Sequence, residues 1–206
     1  MFSKIFDGVN RALATKLMLA HILIIAISNY IVQYKIDIVG HPLSIAAFTF
    51  PLVVVLTDLT VRLIGKETGR AVIGIAFIPA IIVSILIVLA SGAPMSVAVR
   101  IGLGSGFAYF ISNLLDVYVF QYFREKYQNT WYIAPTLSAI VSTFIDTYTF
   151  FGVAFAGGDD PFMSQHWVEV ATNNSISKLI ISLAVILPAY GMLLNFIQRK
   201  MNKVEN

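Results

Sequence analysis

The sequence predicts an all-α fold, a polytopic bundle of six transmembrane helices forming a single transmembrane domain over residues 1–206. Three observations carry this expectation. The chain is 58% hydrophobic and only 12% charged, with a mean hydropathy of +0.81, whereas a soluble domain carries about 25% charged residues. Six apolar stretches, at roughly 17–36, 43–64, 70–92, 97–122, 131–156 and 172–197, each reach the length of about 20 residues that a membrane helix needs. Finally, Lys4, Arg11, Lys16, Arg62, Lys66, Arg70, Arg124, Lys126, Arg199, Lys200 and Lys203 fall on one side of the alternating spans, and only Lys35 and Arg100 on the other. By the positive-inside rule both termini are cytoplasmic.

Each span follows from its own residues. The first opens after Lys16, and its apolar run continues into Ser28-Asn29-Tyr30. A cleaved signal peptide would end sooner, at small residues. Gly40-His41-Pro42 carries turn chemistry, and the second span then holds Pro51, Thr57, Asp58 and Arg62. Gly65-Lys66-Glu67 separates it from the third, which has almost no polar side chains and reads as lipid-facing or packing. After Ser91-Gly92-Ala93-Pro94 the fourth span brings Gly102, Gly104 and Gly106, a pattern for close helix approach. It also brings Ser105, Tyr109, Ser112 and Asp116 at helical spacing, with Asn113 adjoining. The fifth carries Ser138, Ser142, Asp146 and Thr149 on one stripe, beside Thr143. Gly157-Gly158-Asp159-Asp160-Pro161 reads as a turn, and the sixth span offers Asn174, Lys178 and Ser182. Tyr30, Tyr34, Trp131, Tyr132 and Trp167 stand where interfacial aromatic belts are expected.

The intramembrane ions are the functional signal. A charge at mid-membrane costs roughly 2.5–3.5 kcal/mol on insertion scales, yet Asp58, Asp116, Asp146 and Lys178 lie within spans. Polar stripes from four spans converge on a hydrated or ligand-filled centre, as in a transporter. Structural roles compete with this reading. Asp58 and Arg62 are spaced for an i,i+4 ion pair, and Asp116 is in reach of Arg124 or Lys126. Asp146 has no cation nearby in sequence. Lys178 either snorkels outward or pairs with an aspartate across the bundle. Asn29 and Asn113 can bond each other or a helix backbone, and Arg100 marks the outer interface.

Several classes are excluded. Without cysteine there is no disulfide or thiolate metal site, and no His/carboxylate spacing suggests another metal or a cofactor. No phosphate-cradling GxxxxGK[ST] segment is present. Gly104-Ser105-Gly106 lacks a placed histidine base, since His21, His41 and His166 lie near the span ends. The Gly-x-Gly-Asp context of an intramembrane aspartyl protease is also missing, so the protein reads as a non-enzyme. The pI near 9.1 reflects dispersed basic residues rather than a nucleic-acid patch. The spans also divide into three plus three, which would make an inverted repeat. Thr57-Asp58-Leu59-Thr60 would then correspond to Ile145-Asp146-Thr147-Tyr148-Thr149, with Pro51 and Pro135 preceding them.

The combination of Ser28-Asn29-Tyr30, Phe48-Thr49-Phe50-Pro51, Thr57-Asp58-Leu59-Thr60-Val61-Arg62, Asn113-Leu114-Leu115-Asp116, Trp131-Tyr132-Ile133-Ala134-Pro135-Thr136, Asp146-Thr147, Lys178 and Leu187-Pro188-Ala189-Tyr190-Gly191 resembles the queuosine precursor transporter family, also called the vitamin uptake transporter family. The resemblance covers roughly residues 17–197 of a chain whose spans it places in a bacterial inner membrane. It implies import of 7-cyano- or 7-aminomethyl-7-deazaguanine by a secondary or facilitative alternating-access mechanism. It also implies a substrate site drawn from Asn29, Phe50, Asp58, Asn113, Asp116, Ser142, Thr143, Asp146 and Lys178. Many members carry an amide three residues before the fifth-span aspartate, where this chain has Thr143, so a contact made by that amide is shortened or changed here.

In the site so implied, a carboxylate accepts the ring N–H and exocyclic NH2 of the base together. Lys178 or an amide donates to its carbonyl, and Phe48, Phe50, Tyr109 or Tyr148 stacks on its face. The expected partners are the small-molecule base, the lipid bilayer and a second copy of the chain in a homodimer, with no nucleic acid. The alternative is a substrate-capture subunit of an energy-coupling-factor importer. The first-span Ala-x-x-x-Ala docking pattern of such subunits is absent, but Ala76-x-x-x-Ala80 occurs in the third span.

Overall fold

A computed structural model describes residues 8–31, 34–38 and 41–202. Lys4, Gly40 and Lys203, used above for charge and turn chemistry, lie outside the described residues. Helices α1 (Arg11–Ile31), α2 (Ala46–Thr49), α3 (Pro51–Leu63), α4 (Lys66–Ala90), α5 (Met95–Lys126), α6 (Ile133–Phe155), α7 (Pro161–Ile181) and α8 (Leu187–Asn202) follow in order. Among the described residues six helical segments are long and apolar enough to cross a membrane, α2–α3 counting as one and α7 running on through α8 to Phe196 as another.

Helix α1 begins six residues earlier than the expected first span because Asn10 accepts the backbone N–H of Leu13 at 3.1 Å, an N-cap that offsets one unpaired donor. Its buried face is Ala14, His21, Ile25 and Ser28, while Leu19, Leu23 and Ile27 face outward. Where the sequence carries turn chemistry at Gly40-His41-Pro42, the chain forms a short antiparallel pair, strands β1 (Lys35–Ile38) and β2 (His41–Ser44), with Lys35 opposite Ser44 and Ile38 opposite His41. Four residues a side satisfy the backbone between two spans without a helix.

Two helices are interrupted at proline. Pro51 has no N–H for the carbonyl four residues back, so α2 stops and α3 starts there. Pro188 likewise cannot donate to the carbonyl of Ala184, and the preceding Ser182–Ile186 widens to a π-helical segment joining α7 to α8. Helix α7 itself starts at Pro161, eleven residues before the expected sixth span. Asp160, read above as part of a turn, is its N-cap and accepts the N–H of Met163 at 2.9 Å, with Pro161 at the first helical position.

The bundle centres on α5, packed against α4 and α6. Gly102 and Gly106, one turn apart, face α4, where a Cβ on either would collide with Ile85 or Ile81. Gly104 faces the other way onto the backbone of Phe150 in α6. The glycine pattern thus lets three helices approach closely. The apolar core gathers Ile25, Val53, Val61, Ile73, Ala76, Val117 and Phe120. Ala76 and Ala80 are buried in it at 0% and 1% exposure, so their pattern is not displayed on the bundle surface.

Candidate functional site

A cavity of about 750 Å3 lies among the helices, within the range of small-molecule sites. Its rim is formed by the ends remote from the main cluster of basic residues: Tyr30 at the end of α1, Ala46 and Ala47 of α2, Ala90, Ser91 and Ala93 between α4 and α5, and Phe155 near the end of α6. Its floor, at mid-bundle, holds Ser112 and Asn113 of α5, Ser142, Thr143 and Asp146 of α6, and Lys178 of α7. Phe50, at the break between α2 and α3, and Asn29 of α1 complete the wall.

Lys178 and Asp146 form an ion pair across α6 and α7, with Nζ 3.2 Å from Oδ2. Nζ also donates to Thr147 Oγ1 at 3.3 Å and lies 5.1 Å from the centre of the Phe50 ring. The lysine is 12% exposed and the aspartate 31%. The carboxylate is therefore neutralised from behind but open to the cavity. Of the two readings for Lys178, pairing across the bundle holds. The cation that Asp146 lacks nearby in sequence comes from 32 residues away.

Asn113 is more committed than its sequence position suggested. It accepts from Thr57 Oγ1 at 3.1 Å and donates to the Tyr109 carbonyl at 2.8 Å, tying α3 to α5 at the floor. Asn29 donates to Ser84 of α4 at 2.7 Å. The two amides have these separate partners and do not satisfy each other. Of the four aromatic candidates for stacking, Phe50 and Tyr109 line the cavity, while Phe48 and Tyr148 do not. The Tyr148 hydroxyl is held by Thr172 at 2.7 Å, and that of Tyr109 by His21 Nδ1 at 2.9 Å.

Asp58 and Asp116 are placed differently from the other seven candidates. Neither lines the large cavity. Asp116 is 0% exposed and Asp58 2%, and the two carboxyl groups lie beside each other between α3 and α5, beneath the floor. Among the described residues no salt bridge joins Asp58 to Arg62, or Asp116 to Arg124 or Lys126. Arg62 instead donates to the Trp131 carbonyl at 3.1 Å and lies against the rings of Phe120 and Tyr190, at 5.4 and 5.9 Å. Arg124 donates to the carbonyl of Val61 at 3.2 Å, where α3 ends.

These contacts close the basic end of the bundle. Trp131 stacks on Tyr190, with ring centres 6.3 Å apart, and lies on Gly191, where any Cβ would collide with it. Trp131, read above as a belt residue, thus also packs inward. Arg100 is more than an interface marker, since it donates to the carbonyls of Ala154 and Ala156 at 3.0 and 2.7 Å and caps the end of α6.

Phe150, Phe151 and Phe155 also line the cavity, with Phe150–Phe151 and Phe151–Phe155 ring contacts at 5.2 and 5.5 Å. They were missed because only polar positions were followed along the fifth span. Phe150 lies four residues beyond Asp146, on the same stripe, and that spacing was the available signal.

A family model described as "Putative vitamin uptake transporter" matches residues 44–193. The chain is 36% identical over 196 residues to a protein of Escherichia coli K12 named "Queuosine precursor transporter", covering 90% of this chain and 88% of that one. It is 37% identical over 204 residues to a Haemophilus influenzae protein named "Probable queuosine precursor transporter", covering 88% of this chain and 86% of that one. No solved structure gives a significant match. Membership of a transporter family agrees with the expectation that the protein is not an enzyme. A family model spanning most of the chain, together with relatives alike over nearly their whole length, shows that this protein belongs to the vitamin uptake transporter family.

Proposed function

We propose that the protein imports 7-deazaguanine precursors of queuosine across the bacterial inner membrane by alternating access, with both termini in the cytoplasm. The observation that carries this reading is the Asp146–Lys178 pair, its carboxylate open to a cavity walled by Phe50. A deazaguanine presents a ring N–H and an exocyclic NH2 side by side, next to a ring carbonyl. Asp146 accepts from both donors, a charge-assisted contact stronger than a neutral one. Lys178 lies beside Asp146 to donate to the carbonyl, and Phe50 stacks on the base. Thr143 and Ser142 supply hydroxyls around the ring edge, with Asn113 and Asn29 in the surrounding wall.

Alternating access is supported by the asymmetry of the bundle. The cavity reaches one end, while Arg62, Trp131, Tyr190 and Phe120 close the other. Since the closed end carries Arg62, Lys66, Arg70, Arg124 and Lys126, the positive-inside rule makes the cavity outward-facing. The names of the two bacterial relatives support the substrate class.

The test is thermal stabilisation of the purified full chain by a panel of bases. Ligand at 100 times its Kd adds about 2.7 kcal/mol of stability. The 7-cyano and 7-aminomethyl deazaguanines should stabilise it, and guanine more weakly. Hypoxanthine, lacking the amine, leaves a carboxylate oxygen unpaired at a cost of about 1–3 kcal/mol, or roughly tenfold in affinity per 1.4 kcal/mol. Equal stabilisation by hypoxanthine, adenine and the deazaguanines would remove Asp146 from base recognition.

A further inference from the structure

We propose that the Asp58–Asp116 pair is a proton-binding site that couples translocation of the base to a transmembrane proton gradient. The proposal rests on the transport reading above and adds its driving force. Among the described residues, both oxygens of Asp116 and Oδ1 of Asp58 are buried with no hydrogen-bond donor. The two carboxyl groups are nevertheless within hydrogen-bonding reach of each other. A carboxylate only accepts, so such a contact is satisfied when a proton lies between the two groups. Two unpaired carboxylates in a membrane interior would otherwise bear the full cost of burial.

The surroundings provide a route. Ser142 lines the floor of the large cavity and also adjoins Asp116. Its hydroxyl makes only a long contact, 3.5 Å, to the carbonyl of Ala139, and the hydroxyl of Ser138 beside it one of 3.4 Å to Pro135. Either can rotate to a carboxyl oxygen. On the other side, Asp58 lines a second cavity of about 40 Å3 with Tyr190 and Ser182, enough for a water molecule. Among the described residues the Tyr190 hydroxyl is buried there without a geometric hydrogen-bond partner, with the Arg62 side chain adjoining it.

The pair therefore stands between a cavity reaching one end of the bundle and a small, mainly apolar cavity nearer the other, into which Asp58, Thr143, Ser182 and Tyr190 bring polar groups. The charged and titratable groups facing it are Arg62, one turn along α3, and Tyr190 of α8, with Arg124 of α5 beyond Arg62. Arg62 is held by Trp131 and two aromatic faces, and forms no salt bridge with either carboxyl among the described residues.

In one cycle, a proton entering from the cavity side is held between the two carboxyl groups and lowers the pair's charge by one, the base and proton cross together, and the proton leaves on the other side. One proton per base predicts up to about tenfold accumulation for each unit of imposed pH gradient. The experiment uses proteoliposomes of the full chain loaded at alkaline pH, with the membrane potential clamped, and follows uptake of radiolabelled 7-cyano-7-deazaguanine. The expected result is accumulation driven by the pH gradient, no drive from a sodium gradient, and acidification of the lumen on adding the base.

Asp116→Asn and Asp58→Asn should keep base binding and base–base counterflow but lose gradient-driven accumulation. Infrared spectra of the purified protein add a readout that needs no substrate: a protonated-carboxyl carbonyl band in the wild type, shifted or lost in Asp116→Asn and absent from the Asp58→Asn, Asp116→Asn double variant. Accumulation indifferent to the pH gradient, drive by sodium, gradient-driven accumulation surviving in Asp116→Asn, or a wild type without the carboxylic-acid band would each overturn the proposal. Failure of the purified wild type to bind any deazaguanine would instead fault the substrate reading, and the infrared band would still judge the proton site.

Discussion

Removing the cation behind Asp146 should cost more than removing the whole ion pair. At 3.2 Å the Lys178–Asp146 attraction is about 5 kcal/mol for an effective dielectric constant near 20. Desolvation offsets most of it, and Asp146 remains 31% exposed, so solvent screening reduces it further. Breaking a fully buried pair costs about 3–5 kcal/mol, and an exposed one contributes at most about 1 kcal/mol. The Lys178→Ala variant is therefore expected to lose about 1–3 kcal/mol, because the partly buried Asp146 carboxylate is left unpaired. In the Lys178→Ala, Asp146→Asn double variant no uncompensated charge remains, and at least about 1 kcal/mol should return. For a chain of this size that is a recovery of roughly 2–4 °C in Tm per kcal/mol. Thermal denaturation of the detergent-purified chain, followed by size-exclusion fluorescence, reads all four corners of the cycle. A double variant no more stable than Lys178→Ala would show that the lysine acts through packing of its aliphatic stem, and the pairing argument would fail.

Four further outcomes follow from the same geometry. Asp146→Asn should abolish measurable binding of the deazaguanines while membrane insertion is kept, since the change removes a costly intramembrane charge; unchanged affinity by equilibrium dialysis would place the base elsewhere. Phe50→Ala should weaken base binding by about 1–3 kcal/mol, the worth of one base–aromatic stack, and Phe50→Trp should restore it; equal affinities would show that no base stacks there. Gly106→Val should collide with Ile81 and cost about 1–3 kcal/mol, whereas Gly74→Val, which meets nothing within 4 Å, should be neutral in the same melting assay. Reporter fusions after residue 206 and within 124–129 should both report cytoplasm, and a periplasmic signal from either would overturn the orientation.

The apolar runs and the Lys/Arg bias made the helical membrane fold legible, because bilayer thickness imposes a length and charge imposes a side. The helical stripe rule likewise brought Asn113, Ser142, Thr143, Asp146 and Lys178 to one floor, since residues three and four apart share a face whatever the tertiary packing. Depth was not legible in the same way. Asp58, Asp116 and Asp146 look alike in sequence, yet Asp146 opens on the large cavity while the other two are sealed below it. Local spacing pointed Asp58 at Arg62, but the arginine is taken by the Trp131 carbonyl, 69 residues away. Only packing of α3 against α5 and α6 decides that. The helix ends were misread for a local reason, since Asp160 and Pro161 serve equally in a turn and at a helix start.

The irregular points of the bundle coincide with its cavities, and a single physical cause accounts for both. In a membrane interior every backbone N–H and C=O must find a partner, so a helix is broken only where protein groups or trapped water take up the freed bonds. Pro51 removes one donor, and the α2–α3 break it creates lies in the wall of both cavities. Pro188 removes another, and the π-helical Ser182 and Ile186 before it line the smaller one. Between these two interruptions runs α6, whose Asp146 faces the large cavity, whose Thr143 borders both, and whose Ser138 and Ser142 adjoin the Asp58–Asp116 pair. Helices α4 and α5 are continuous and locked together at Gly102 and Gly106, and this packing holds α4 straight through Pro79, which leaves the Ile75 carbonyl without its helical donor. A motion that opens the sealed end therefore meets least resistance at Pro51 and at Ser182–Ile186, where the ladder of hydrogen bonds is already interrupted. Replacing Pro188 with alanine restores the missing N–H and favours regular α-helix through 182–186. It should stabilise the purified chain yet slow transport more than it weakens base binding. A variant with unchanged turnover would show that the π-helical segment is a packing detail with no part in the motion.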